Sequence, residues 1–229
     1  MTRKYIVSLD APAGWQADQA VAALQALIDR LRAAPPPLAG LIVDTAVTPL
    51  TGPNETAGFV QLWTGDQDDS IEPLLSELQS VSGFDPTALF VDEIVLVEPA
   101  DRLAIEQSPD RINLFGTAYR RDDFTPDAFF DYWRQTHAPI SGSVPGLTGY
   151  VVSRVASDAD SSVPEIDGFI ELWWPSVAVY EASADTPQQK AAWEDVPKYA
   201  KTIGRFWLTR EHVVIPPPAT GPGLLQGAG

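Results

Sequence analysis

Apolar and polar positions alternate between two periods along this chain. Residues 4–10 (KYIVSLD), 40–48, 57–64 and 91–98 carry short β-branched and aromatic runs of strand length. Between the first two runs, Ala17 to Arg32 place Val21, Leu24, Leu27, Ile28 and Leu31 at helical spacing, and Pro35-Pro36-Pro37 ends that helix. A second helix is predicted over 70–81. The second half gives strands near 112–120, 147–155, 167–174 and 209–215. Its helices are predicted at Pro126 to His137 and 175–182, with extra helical sequence at 187–203 divided by Pro197.

The two halves echo each other at an interval of about 110 residues. Segment 58–63 reads GFVQLW and segment 168–173 reads GFIELW. Segments 4–10 and 113–120 open the halves, and 92–98 and 211–215 close them. Each half therefore reads strand, helix, strand, strand, helix, strand. Such a βαββαβ unit makes a four-stranded antiparallel sheet with both helices on one face, leaving an apolar face to be covered. The expected class is α+β: two ferredoxin-like units fused in one chain and packed sheet to sheet as a pseudo-dimeric α/β barrel, with a cavity between them. The boundaries expected are 1–100 for the first unit, 101–111 for a linker, 112–215 for the second unit and 216–229 for an extended or disordered tail rich in Pro and Gly.

Composition narrows the chemistry. The net charge of −16 and pI near 4.3 repel phosphate backbones and anionic lipid, so nucleic acid and membrane surfaces are poor partners. Seven Trp, nine Phe and six Tyr exceed the needs of a minimal core and suggest aromatic-lined interior space. The absence of cysteine excludes disulfides, thiolate nucleophiles, Fe–S clusters and cysteine-ligated zinc. No apolar run approaches the roughly 20 residues that span a bilayer, and Asp10 and Pro12 interrupt any leader-like start. A cytoplasmic protein is expected.

One of only two histidines closes an apolar helical face: Phe129, Trp133 and His137 fall four apart, with Phe130 beside them. His137 is either an acid or base at a cavity mouth or a helix-terminal histidine bonding the last carbonyls. Tyr132 carries a hydroxyl that wants a partner, while Trp133 suits a core. Arg120 and Arg121 either fork onto a substrate carboxylate or pair with Asp122, Asp123 or Asp195. Phe169, Glu171 and Trp173 share one strand face, as Phe59, Gln61 and Trp63 do in the first half. Glu171 is then either an edge residue, exposed or paired, or a polar group in a ligand cavity. Asp195 and Tyr199 lie four apart across Pro197; they face the cavity, or Asp195 supports His137 or an arginine. His212 in the last strand reads as structural. Two histidines without Glu-x-x-His or His-x-His spacing argue against a protein-ligated metal, and no glycine-rich phosphate loop follows a strand. Haem needs only one axial histidine, so composition alone does not exclude it.

Residues 112–215 resemble an EthD domain of the dimeric α/β-barrel superfamily. The resemblance rests on Tyr119-Arg120-Arg121 with Phe124-Thr125; on Phe129-x-x-Tyr132-Trp133-x-x-x-His137-Ala138-Pro139 running into Pro145-Gly146-Leu147 and Tyr150; and on Asp167 to Trp173, followed by Asp195 and Tyr199. The first half matches only in outline and has no histidine at the Tyr-Trp-x-x-x-His position. The Gly-x-x-Asp-Gly signature of the haem peroxidases in the superfamily is absent. The resemblance implies a small barrel that takes aromatic or polyketide-like molecules without a tightly bound cofactor. On that basis the expectation is a cofactor-independent lyase or isomerase, performing decarboxylation, dehydration or proton transfer. His137 and Asp195 are its catalytic pair, and Tyr119, Arg120, Tyr132, Trp133, Glu171, Trp173 and Tyr199 bind substrate. A binding or accessory protein for a hydrophobic small molecule and a cofactor-free monooxygenase are the alternatives. The sequence leaves open whether the fused barrel pairs further as a homodimer, since pairing within the chain removes the usual need for a partner.

Overall fold

A computed structural model describes residues 2–47, 56–65, 71–99, 110–156, 166–219 and 223–225. The expected linker falls largely at 101–109, outside the described residues. The strands are β1 (Arg3–Asp10), β2 (Gly40–Ala46), β3 (Thr56–Thr64), β4 (Asp85–Val97), β5 (Ile112–Arg120), β6 (Gly149–Val155), β7 (Gly168–Trp174) and β8 (Ala200–Ile215). The helices are α1 (Ala17–Ala33), α2 (Glu72–Ser82), α3 (Pro126–Tyr132), α4 (Ala138–Ser141), α5 (Val177–Ser183) and α6 (Pro187–Asp195). A π-helical turn, Trp133–His137, joins α3 to α4, and a 3₁₀ turn, Val196–Lys198, follows α6. The strands form two runs of hydrogen-bonded neighbours, β4-β1-β3-β2-β8 and β8-β5-β7-β6-β4, and with the helices they make an α+β fold.

The described residues fall into two compact units, one of 2–91 with 209–219 and one of 92–208 with 223–225. In the first, β1 pairs antiparallel with β3 and with residues 85–91 of β4, and β2 pairs with β3 and with residues 209–215 of β8. The stripe of α1 buries Ala20, Leu24, Leu27, Ile28 and Leu31 against Val7, Leu9, Val60 and Leu62. Val21, expected on that stripe, is 63% exposed; Ala20, four residues before Leu24, takes its place.

In the second unit β7 lies between β5 and β6, antiparallel to both. Its helices start where the sequence supplies a cap. Thr125 accepts from the Ala128 amide and Pro126 follows it, Ser176 accepts from Val179, and Thr186 accepts from Gln189 with Pro187 next. Two expectations are corrected here. The helical sequence expected to run to 203 stops at Asp195, because Pro197 cannot continue it, and β-forming residues from Thr202 to Thr209 belong to β8 instead. The strand expected at 91–98 begins at Asp85, since Pro86 sits at a strand start, where a missing amide is tolerated. Within the expected tail, the amides of Leu224 and Leu225 bond the carbonyls of Val95 and Leu96, and Leu225 packs on the core.

The sequence echo has a physical counterpart. Gly40 stands opposite Trp63 on β3, and Gly149 opposite Trp173 on β7. A methyl on Gly40 would come within 2.8 Å of Pro217 Cα and 3.0 Å of the Trp63 ring; on Gly149 it would meet Pro99 Cα at 2.8 Å and the Trp173 ring at 2.9 Å. Both positions demand glycine because backbone and indole close in on them.

A candidate active site on the helix side of the second sheet

The site begins with α3. Phe129 and Phe130 are buried by it, and Trp133 continues the same side. One turn further the helix widens: the Ala138 amide donates to the Trp133 carbonyl, five residues back. The next residue, Pro139, has no amide to give, so the ordinary bond to the Gln135 carbonyl is unavailable. The π turn takes up this mismatch, and such turns gather at functional sites. His137 is its last residue and is 3% exposed.

His137 Nδ1 lies 3.0 Å from Asp195 Oδ2. Asp195 ends α6 and is itself buried. Its other oxygen, Oδ1, accepts from the Tyr132 hydroxyl at 3.1 Å and from Lys198 Nζ at 3.0 Å. Burial pushes the Asp195 carboxyl upward, but hydrogen bonds from Lys198, His137 and Tyr132 outweigh it and hold the group below its ordinary value. An ionised Asp195 only accepts, so Nδ1 carries the proton and Nε2 presents its lone pair. Burial pulls the His137 imidazole below its ordinary value, against the pull of Asp195, so the ring is neutral at neutral pH. Tyr199 closes one side, fully buried, with its ring 5.0 Å from the imidazole and stacked on Tyr132 at 5.2 Å. Burial drives the Tyr199 phenol well above its ordinary value.

His137 lines a cavity of about 70 Å³. The wall is mostly apolar, built from Leu114, Val144, Ile170, Leu172 and Phe206, with Trp174 and Tyr180 beside them. A cavity of roughly 150 Å³ takes benzene, so a ring-sized ligand needs the rim to part. Trp193 is the rim residue, 47% exposed and edge-on to Phe206 at 5.7 Å.

The fold separates the expected residues. His137, Asp195, Tyr132 and Tyr199 come together as described. Trp133 is in the aromatic core, donating its Nε1–H to the Tyr150 hydroxyl at 2.6 Å, and does not line the cavity. Glu171 and Trp173 are on the opposite face of β7 from the cavity-lining Ile170, Leu172 and Trp174. Glu171 is fully buried on a central strand, accepting from Asn113 Nδ2 at 3.4 Å, which removes the exposed-edge alternative. Tyr119 is half-buried at the end of β5, away from the cavity lining. Arg120 pairs with Asp167 through its guanidinium, and its amide donates to the same carboxylate at 2.8 Å, so its partner is none of the three expected acids. Arg121 forks onto Asp123 with two bonds of 2.9 Å, as one of the alternatives had it. His212 Nε2 contacts the Thr45 hydroxyl at 3.0 Å. Of the expected site residues only His137 lines the cavity; among the lining residues missed is Trp174, which only its alternation with Trp173 marks.

Residues 121–203 match the EthD domain. Most of the cavity wall, with His137 and Asp195, falls inside the EthD segment; Leu114 and Phe206 flank it. Curated protein sequences give no match. Solved structures give the fold. An anthrone oxidase-like protein aligns with 93% of this chain and 93% of its own at TM-score 0.62 and 12% identity. A proposed monooxygenase from Lactobacillus acidophilus NCFM covers 94% of this chain and 97% of its own at TM-score 0.56 and 10% identity. A proposed chlorite dismutase covers 93% and 96% at TM-score 0.54 and 13% identity. Among the described residues no helix is long and apolar enough to cross a membrane, and no cluster of three or more His, Cys, Asp or Glu could hold a metal.

The dyad also sets the acid response of the fold. His137 takes a proton near 6.5 when unfolded and only at lower pH when folded. Between those values the unfolded state binds more protons, so stability falls as pH falls through 6.5. His212 acts in the same direction, lowered by burial and by Arg32 and Arg210. Asp195 adds to the loss lower down, since its stabilisation is complete above 3.8 and disappears as pH drops through its depressed value. Urea midpoints are expected to fall between about pH 7 and 5, with His137→Gln and His212→Gln each removing part of the slope. A midpoint constant over that range would contradict this.

Proposed function

We propose that this protein is a cofactor-independent enzyme of the lyase or isomerase type, acting on an aromatic or polyketide-like carbonyl compound in the cavity of the second unit. The observation that carries the reading is the Asp195–His137 pair, bonded through Nδ1, with His137 lining a mostly apolar cavity. A neutral buried imidazole with Nδ1–H held by a carboxylate is a general base in waiting. His137 Nε2 removes a proton from a carbon next to the carbonyl, the C–H electron pair moves toward the carbonyl oxygen, and the imidazolium is stabilised by Asp195. Tyr132 and Lys198 keep that carboxylate ionised and fixed. Return of the proton to another carbon completes an isomerisation; where a hydroxyl sits β to the carbonyl, the enolate expels it and the imidazolium proton goes to the departing oxygen, which leaves as water and completes a dehydration. The anthrone oxidase-like neighbour supports an aromatic ketone as the class. We also read the chain as two βαββαβ units of common origin, 1–100 and 112–215, supported by the paired Gly40–Trp63 and Gly149–Trp173 contacts.

Deuterium exchange tests the base without requiring the full reaction. The native protein in D₂O is expected to speed incorporation at the acidic carbon of benzylic ketones such as 2-tetralone at least tenfold over buffer, read by mass spectrometry. Ketones that bind without accelerated exchange would favour the non-catalytic binding reading. A cofactor-free oxidation would begin with the same proton removal, and its signature is product formation that stops under strict anaerobiosis.

A further inference from the structure

The cavity holds a second polar feature that the proton-transfer reading leaves unused. Trp174 is 1% exposed and lines the same cavity as His137, yet its Nε1–H has no hydrogen-bond partner. Buried indole N–H groups usually find an acceptor, and leaving one unpaired is costly. None of the polar residues that share the wall, Ser141, Tyr180, Ser183 and Gln189, bonds it: Trp174 packs with Ile112, Leu114 and Val144, and the ring of Tyr180 stands edge-on at 5.1 Å. The tryptophan is held in place by apolar contacts while its polar edge goes unanswered.

We infer that Trp174 donates to the carbonyl oxygen of the ligand, so the cavity selects a neutral ring ketone or acylphenol that presents an acidic hydrogen to His137. This rests on the proton-transfer reading of the same cavity. An acceptor at His137 Nε2 and a donor at Trp174 Nε1 complement a molecule with one acidic hydrogen and one carbonyl. Of the serine hydroxyls on the wall, Ser141 already donates to the His137 carbonyl at 3.1 Å and Ser183 to the Tyr180 carbonyl at 2.7 Å. A carboxylate is disfavoured because the nearby cations are committed elsewhere: Arg120 to Asp167, Arg121 to Asp123 and Lys198 to Asp195. As His137 takes the proton, charge grows on the carbonyl oxygen, and the indole N–H bond to it strengthens.

The test uses isosteric probes on the whole chain: the three hydroxyacetophenone isomers and the matching isopropenylphenols, in which C=CH₂ replaces C=O. At least one hydroxyacetophenone is expected to bind about five- to tenfold tighter than its isostere, as one hydrogen bond provides. Trp174→Phe should bring that preference below twofold, and saturating ligand should move the Trp174 indole N–H resonance of the native protein downfield. An equal preference in Trp174→Phe, an unmoved indole resonance, or no binding of any isomer at millimolar concentration overturns the inference. The indole resonance decides the matter even where Trp174→Phe disturbs packing. His137→Gln should keep the carbonyl preference. Preference retained by a protein that shows no exchange in D₂O would sink the proton-transfer role alone, whereas exchange without preference would sink only the role of Trp174.

Discussion

His137→Gln lowers turnover by about 10²- to 10⁴-fold, the share a positioned base contributes. Glutamine is close in reach and can still donate to Asp195 Oδ2, so the buried carboxylate keeps a partner and the loss is confined to proton transfer. Asp195→Asn gives a second view of the same device. An amide in place of the carboxylate can donate to Nδ1, which moves the imidazole proton to Nε2 and removes the lone pair from the cavity. Both variants should retain native near-ultraviolet dichroism, and activity of the native protein should decline on acidification only below 6.5, since burial lowers the imidazole. Turnover or deuterium exchange by His137→Gln at the native rate would exclude this base.

Trp133→Ala costs about 3–5 kcal/mol of folding stability, the range for emptying a fully buried tryptophan site. The ring is 1% exposed, stacked on Phe130 at 6.0 Å and edge-on to Phe129 at 5.3 Å, with Tyr199 at 5.6 Å. Truncation also strips the Tyr150 hydroxyl, itself fully buried, of the donor 2.6 Å away. Against a total stability of roughly 5–15 kcal/mol this is a large fraction, so urea unfolding is the measurement. Trp133→Phe, which keeps most of the volume and loses the N–H, should lose about 1–2 kcal/mol. A loss below about 1.5 kcal/mol for the alanine variant would mean that the aromatic cluster is not the anchor of this unit.

Much of this was legible in the sequence. The period of 3.6 placed α1 and α3, and the repeated GFxxLW segments placed β3 and β7. His137 and Asp195 stood out as a rare imidazole and an acid beside an aromatic, and the fold brings them to 3.0 Å. What escaped has physical causes. β7 is apolar on both faces, so alternation could not say whether Glu171 or Trp174 looked toward the helices. The run after Pro197 contains residues that suit either state, and pairing along β8 decided for strand. The partner of Arg120 is distant in sequence, at Asp167, where nearby acids compete on paper but not in space.

The π turn carries a lesson about insertions and deletions. Between Trp133 and Ala138 the helix stores one residue more than an α-helix would use for the same span. Each residue advances an α-helix by about 100°, so the direction of the His137 ring is set by counting as much as by chemistry. Exposed Arg134, Gln135 and Thr136 can vary in identity at little cost, yet losing any one of them would swing the imidazole off Asp195. Length, rather than composition, is what this stretch of the chain must conserve.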